Sequence, residues 1–431
     1  MKAPCKRGRM APAEASPWTI TVAGVLALAV AMGIGRFAFT PLLPMMLNDS
    51  VIDLPGASWL ATANYFGYVV GALLCTFQPR IWRWLGGLPA VGPSTWIRVG
   101  LAGTCVLTLG MSVHLPALWP VLRFLAGVAS AFVFVFTSGW VLAQLAQRGA
   151  GAQGALMYAG PGAGIALSGF FASGMVALHR SAAEGWLIFG VLACVLTVIA
   201  WPTFHPRAEK KDMAAPVVGS AADTAVAQAA PAARIAALAG RNEMGVLALA
   251  YGLSGFGYII TATFLPVIAR QALPPSLLLD MFWPLFGVGV ITGALLSSRV
   301  SLAGDLRHRL AACYIVQAVA IAISILSPTL AGFAAGSLLL GIPFTAITFF
   351  AMQEARRLRP LSGASFMGLL TAMYGLGQVA GPPLVALLLK NAASLSAGFT
   401  LSLEIAAGSL VLGALMYWGM AKAWPMRKGA A

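Results

Sequence analysis

Apolar stretches long enough to cross a bilayer follow one another along almost the whole chain, separated by short polar turns. A helical span needs about 20 apolar residues. The runs are continuous and do not alternate, which points to helices and away from an outer-membrane barrel. They predict helices at 18–46, 57–77, 96–113, 116–145, 153–178, 184–204, 244–268, 278–298, 309–327, 329–353, 363–389 and 396–420. Composition agrees: 59% of the residues are hydrophobic and 9% charged, against about 25% charged in soluble domains. The expected fold class is an all-α polytopic membrane protein with twelve transmembrane helices.

In a soluble protein, a net charge of +15 would suggest nucleic acid as a partner. Here the 27 Lys and Arg residues sort by side of the membrane instead: 22 fall in the two tails and in alternate loops, three (Arg180, Arg270, Lys390) in the opposite loops, and two, Arg36 and Arg123, inside helices. By the positive-inside rule both termini are cytoplasmic, and the alternation fits an even number of helices. Lys2, Lys6, Arg7 and Arg9 precede the first apolar run as in a signal peptide, but that run outlasts a short signal core and reads as a true helix. The five cysteines show no metal or redox spacing. Neither a cofactor nor a metal is expected.

Arg36 is the residue that most demands a function. It lies in Gly33-Ile34-Gly35-Arg36-Phe37, deep within the first apolar run. A guanidinium does not deprotonate in proteins, and a charge at membrane depth costs roughly 2.5–3.5 kcal/mol even on translocon scales. Such charges face a polar cavity, an ion path or a partner. Arg36, Thr40 and Pro44 share one face of a regular helix, and Pro41 and Pro44 should bend its outer end.

The chain also repeats itself. Gly33, Gly35, Leu43 and Pro44 match Gly255, Gly257, Leu265 and Pro266 at an offset of 222 residues, and Gly67-Tyr68-Val69-Val70-Gly71-Ala72-Leu73-Leu74 matches Gly289-Val290-Ile291-Thr292-Gly293-Ala294-Leu295-Leu296 at the same offset. Met157-Tyr158 with Gly160 and Gly164 resembles Met373-Tyr374 with Gly377 and Gly381. Two parallel six-helix repeats are expected: a tail at 1–17, a bundle at 18–204, a cytoplasmic linker at 205–241, a second bundle at 242–421 and a tail at 422–431. Gly67/Gly71, Gly289/Gly293, Gly160-Pro161 with Gly164, and Gly377/Gly381 read as helix-packing surfaces.

This organisation resembles the major facilitator superfamily. Arg123-Phe124-Leu125-Ala126-Gly127 is similar to its helix-4 arginine motif, and Gly160-Pro161-Gly162-Ala163-Gly164 to its helix-5 motif, with Ile165 where a further glycine is usual. Gln78-Pro79-Arg80-Ile81-Trp82-Arg83 lacks the acid of the usual motif after helix 2, whereas Gly304-Asp305-Leu306-Arg307 carries one. Gly33-Ile34-Gly35-Arg36-Phe37 with Thr40-Pro41-Leu42-Leu43-Pro44 and Trp59–Tyr68 resembles the YbfB/YjiJ-type branch more narrowly. The resemblance implies a multi-pass carrier of the bacterial inner membrane working by alternating access, with helices 1, 4, 7 and 10 lining the cavity. A monomer is expected, whose partners are a small-molecule substrate, a proton or counter-anion, and the lipid bilayer.

Arg36 and Arg123 are expected at similar depth, where together they would hold an organic anion; as scaffolds they would cap carbonyls instead. Thr40, Asn64, Tyr68, Tyr158, Tyr258, Thr261, Tyr374 and Gln378 are the expected polar lining. Glu404 is the one acid well inside a helix, a coupling candidate or a structural partner. Glu354, beside Arg356 and Arg357, and Asp305 with Arg307 are expected at an inner gate; Asp49, Asp53 and Asp280 are expected to be solvated. Efflux of neutral or anionic drug-like compounds is an alternative, favoured by the aromatic residues Phe132, Phe134, Phe136, Trp140, Phe344, Phe349 and Phe350. A membrane-embedded enzyme is disfavoured, because no catalytic set shares one depth.

Overall fold

The computed structural model describes residues 16–84, 91–204, 241–300, 304–358 and 363–426. Most of the expected linker, the outer parts of both tails and the side chains of Arg80, Arg83 and Arg356 lie outside the described residues. Twelve helices follow: α1 (Pro17–Asn48, interrupted), α2 (Leu54–Trp84), α3 (Pro93–Gly110), α4 (Trp119–Gln147), α5 (Ala159–Ala177), α6 (Ala182–Ala200), α7 (Arg241–Ala272), α8 (Phe282–Arg299), α9 (Leu306–Leu326), α10 (Leu330–Leu358), α11 (Gly363–Asn391) and α12 (Leu395–Ala423). Eleven are long and apolar enough to cross a membrane. The exception, α3, carries Arg98 near its start and packs on α4 and α6.

Helices α1 and α7 are the most deeply buried, and α6, α9 and α12 expose much of their length. The order of packing follows the glycines. A Cβ on Gly67 or Gly71 would press into α4, and one on Gly289 or Gly293 into α10. Likewise Gly160 and Gly164 admit α1, while Gly377 and Gly381 admit α7. At all of these points but Gly381, which meets the Ile259 side chain, the glycine lies against partner backbone, which is how helices associate where lipid supplies no hydrophobic drive. Further contacts join the first six helices to the last six: α5 lies against α8, α2 against α11, and Phe39–Asn48 of α1 against α7.

α1 departs from the expected regular helix. Pro17–Leu28 is α-helical, Ala29–Arg36 is a wide π-type segment, and a turn at Phe37–Ala38 leads into Phe39–Asn48. The break from regular α-helix thus comes at Ala29–Ala38, ahead of Pro41 and of Pro44, which lies inside Phe39–Asn48. Gly33 sits directly on Gly164 of α5, and a Cβ there would overlap the Gly164 backbone. Pro41 has no N–H, and the Thr40 amide turns back to the Phe37 carbonyl. The turn so made sets the carbonyls of Gly35 and Arg36 toward α4.

Candidate functional site

Arg36 emerges from the wide segment into the centre of the molecule, with 1% of its surface accessible. Its Nη2 donates to Oε1 of Gln378 on α11, and Nε2 of the same amide donates to the Tyr258 hydroxyl on α7. The guanidinium carbon lies 4.0 Å from the Tyr68 ring centre and 5.2 Å from that of Tyr65. Nε and Nη1 have no partner. A buried cation held only by a neutral amide and aromatic faces is electrostatically incomplete, because its desolvation is not matched by an opposite charge.

Around it lies a cavity of about 40 Å³. One wall is Tyr68, Phe134, Tyr158 and Pro161; the other is Tyr251, Tyr258, Phe344, Tyr374 and Gln378. Met32, Thr345, Thr348, Thr371 and Met352 complete it on the side from which both tails emerge. That volume holds a water or two, far below the roughly 300–1,000 Å³ of ligand pockets, so the two walls are drawn together in this conformation. On the opposite, loop side the closure is tight: Thr40 Oγ1 donates to the Ala262 carbonyl at 2.9 Å, Tyr65 Oη and Thr263 Oγ1 are 2.9 Å apart, and Ser173 Oγ donates to the Asp280 carbonyl at 3.3 Å. Each of these joins the first six helices to the second six.

Of the expected lining, Arg36, Tyr68, Tyr158, Tyr258, Tyr374 and Gln378 come together at this cavity. Four expected members do not. Arg123 is buried, but its Nη1 and Nη2 donate to the carbonyls of Gly35 and Arg36, 3.1 Å each, and its guanidinium lies over Phe39 at 5.1 Å. It serves the backbone of the α1 turn. Asn64 donates to the Arg123 carbonyl at 2.9 Å. Thr40 is turned into the loop-side closure, because the wide segment breaks the four-residue register that would align it with Arg36. Thr261 is buried outside the cavity with no hydrogen-bond partner for its hydroxyl.

The expected charged groups resolve differently again. Glu404 is exposed on the outer face of α12, away from the cavity, with neighbours Leu401 and Ile405 also exposed. Asp305, Arg307, Glu354 and Arg357 meet at the tail-side ends of α9 and α10, together with Glu243 of α7. Arg307 and Glu354 are fully buried there. Gly304, at φ +86, turns the chain so that Asp305 caps α9, accepting from the Arg307 amide at 3.0 Å. Among the described residues the cluster ties α7, α9, α10 and, through the Met420 carbonyl, α12 to one another. Asp280 is not free in solvent as expected: it pairs with Arg270. Asp49 accepts from the Ala182 amide at 2.6 Å, and Asp53 caps α2 through the Gly56 amide at 2.8 Å.

Among the expected aromatics, Phe132 and Phe136 pack on Trp96, and Trp140 on Phe204; only Phe134 and Phe344 reach the cavity. Tyr65, Tyr251, Thr345 and Thr348 are the lining or closing residues that sequence reasoning passed over. Tyr251 stands two turns before Tyr258 on the same face of α7, a spacing that marks it as a companion. Its hydroxyl donates to Thr348 Oγ1 at 3.1 Å.

Two halves around a buried cation define a transporter of the major facilitator type, and the comparisons agree. Residues 28–418 match the family described as uncharacterised MFS-type transporter YbfB, and the chain belongs to that family. No curated protein matches its sequence. Among solved structures, the crystal structure of a mutant of the nucleoside transporter NupG is similar over 94% of this chain and 99% of that one, with a TM-score of 0.65 and 14% identity. At that identity the likeness concerns the fold. The chain is thus a multi-pass membrane protein of a transporter family.

Proposed function

We propose that this protein is a secondary carrier that moves a small organic anion across the bacterial inner membrane by alternating access, with both tails cytoplasmic. One observation carries the reading: among the described residues, Arg36 is buried at the centre with Nε and Nη1 unpartnered and no acid in the cavity lining. An anion that accepts from those N–H groups supplies the missing charge, and a carboxylate suits a guanidinium fork.

The matched glycine contacts, α2 on α4 like α8 on α10 and α5 on α1 like α11 on α7, support two parallel six-helix repeats that rock about this centre. The loop-side hydrogen bonds between the first six helices and the last six support a contracted conformation closed just outside Arg36, with a vestibule of about 770 Å³ beyond them lined by Pro44, Asp49, Arg180 and Arg270. No carboxylate or histidine stands among the described lining residues. That leaves uniport, anion exchange or a proton borne by the substrate itself as the mode of transport. The aromatic walls favour a second reading, export of drug-like neutral or anionic compounds.

A thermal-shift screen on purified protein tests the proposal, since ligand that binds the folded state raises its melting temperature. An organic anion should stabilise wild type and not Arg36→Ala. Equal stabilisation of both by neutral amphipaths, with no anion effective, would reject it in favour of export.

A further inference from the structure

Charge accounts for one end of the ligand in the central cavity, and the walls constrain the rest. On one side the rings of Tyr251, Tyr374 and Tyr258 form a near-parallel ladder, with centroids 4.8 and 5.7 Å apart and interplanar angles of 29° and 20°. Phe344 closes its end edge-on to Tyr258 at 4.9 Å. On the other side Tyr68, Phe134 and Tyr158 follow at about 6.3 Å spacing. Arg36 sits at one end of the space between these walls, one face covered by Tyr68. The space between the walls holds a water or two in this contracted conformation; once the walls part, it would accept a flat ring between them and an anionic head at Arg36.

The charge inventory narrows the class further. Arg36 is the one ionised group among the described lining residues. A dianion would leave its second charge against aromatic rings, and an ammonium group would find no carboxylate; each is a desolvated, uncompensated charge. We infer that the ligand carried at Arg36 is an aromatic or heteroaromatic monocarboxylate with a single charge and no ammonium group. The inference rests on the anion reading proposed above and specifies its substrate class. It holds for import and export alike.

The test is a matched ligand series, its affinities measured on the full-length protein in lipid nanodiscs: benzoate, cyclohexanecarboxylate, phthalate, phenylalanine and benzyl alcohol. Ring-on-ring contacts add to area burial, so benzoate should bind roughly two- to tenfold more tightly than cyclohexanecarboxylate of the same charge and similar size. Phthalate and phenylalanine should bind at least tenfold more weakly than benzoate. Tyr374→Leu should bring benzoate and cyclohexanecarboxylate to parity, and Tyr374→Phe should keep the preference. If Tyr374→Leu does not fold, the wild-type series decides alone. Parity in wild type, or phthalate or phenylalanine binding as well as benzoate, overturns the inference and leaves the anion reading standing. Benzyl alcohol binding as tightly as benzoate, unchanged in Arg36→Ala, or no carboxylate binding at all, overturns both.

Discussion

Replacing Arg36 or Arg123 by leucine should move stability in different directions, because the two guanidinium groups are satisfied so differently. Arg123→Leu removes two hydrogen bonds of 3.1 Å and leaves the Gly35 and Arg36 carbonyls buried without their donor. An unsatisfied buried polar group costs about 1–3 kcal/mol, so the pair should cost about 2–6 kcal/mol. Arg36→Leu loses the bond to Gln378 and the stack on Tyr68 at 4.0 Å. Those are worth about 1.5–3 and 0.5–2 kcal/mol. Against that loss, the substitution relieves a buried ion of a desolvation penalty of several kcal/mol. The ligand-free Arg36→Leu protein should therefore melt at or above wild type, and Arg123→Leu clearly below. Melting curves in lipid nanodiscs without ligand measure both. If Arg36→Leu falls as far as Arg123→Leu, Arg36 is a scaffold and the argument from its incomplete solvation is wrong.

Four further outcomes follow from the same contacts. Glu404→Leu should leave transport intact and stability unchanged or higher, since Glu404 faces outward on α12 far from the cavity; loss of flux in proteoliposomes would restore it as a coupling group. Arg307→Met removes a buried partner of Glu243, Asp305 and Glu354, leaving Arg357 on Glu243 and Glu354, and should cost about 3–5 kcal/mol, read as a fall in melting temperature. Burial raises the Asp305 carboxyl, but hydrogen bonds from Arg307 outweigh it and hold that carboxyl below its ordinary value of 3.8. A depressed folded value means that its contribution is full above that pH and is lost as pH falls through the folded value. Melting temperature should thus be flat from about pH 5 to 8 in this respect and drop below about 4, with Asp305→Asn flattening the acid limb. Gly293→Ala would drive a Cβ into the Ile342 carbonyl and should cost about 1–3 kcal/mol by overpacking, seen as reduced yield and melting temperature of folded protein.

Much of this molecule was legible in its sequence because membranes impose simple rules. Apolar runs gave most helix ends to within a few residues, although Leu54–Trp84 and Leu330–Leu358 run on past the expected 77 and 353 and the α-helix Ala159–Ala177 starts after the expected 153; the paired glycines marked close helix contacts. Arg36, Tyr258, Tyr374 and Gln378 were recognisable as polar groups at membrane depth, and they do meet. What failed depended on local helix geometry. The wide segment at Ala29–Arg36 leaves no clear trace in hydropathy, yet it rotates Thr40 away from Arg36 and presents two carbonyls that claim Arg123. With Arg123 turned aside, Asn64 follows it, bonded to the Arg123 carbonyl. Glu404 failed for another reason: an apolar helix in lipid is apolar all round, so hydropathy does not say which face looks inward. Tyr251 was missed although its spacing from Tyr258 was informative, since aromatic residues also pack helices with no ligand at all.

The most direct measurement is uptake of radiolabelled benzoate into proteoliposomes bearing the reconstituted protein, which registers transport whether or not net charge moves. A carrier that binds a monoanion at Arg36 should give saturable uptake in wild type and none in Arg36→Ala. Uptake of equal size in Arg36→Ala, or none by wild type with any organic anion, would contradict the claim that Arg36 is the anion-binding centre of this carrier.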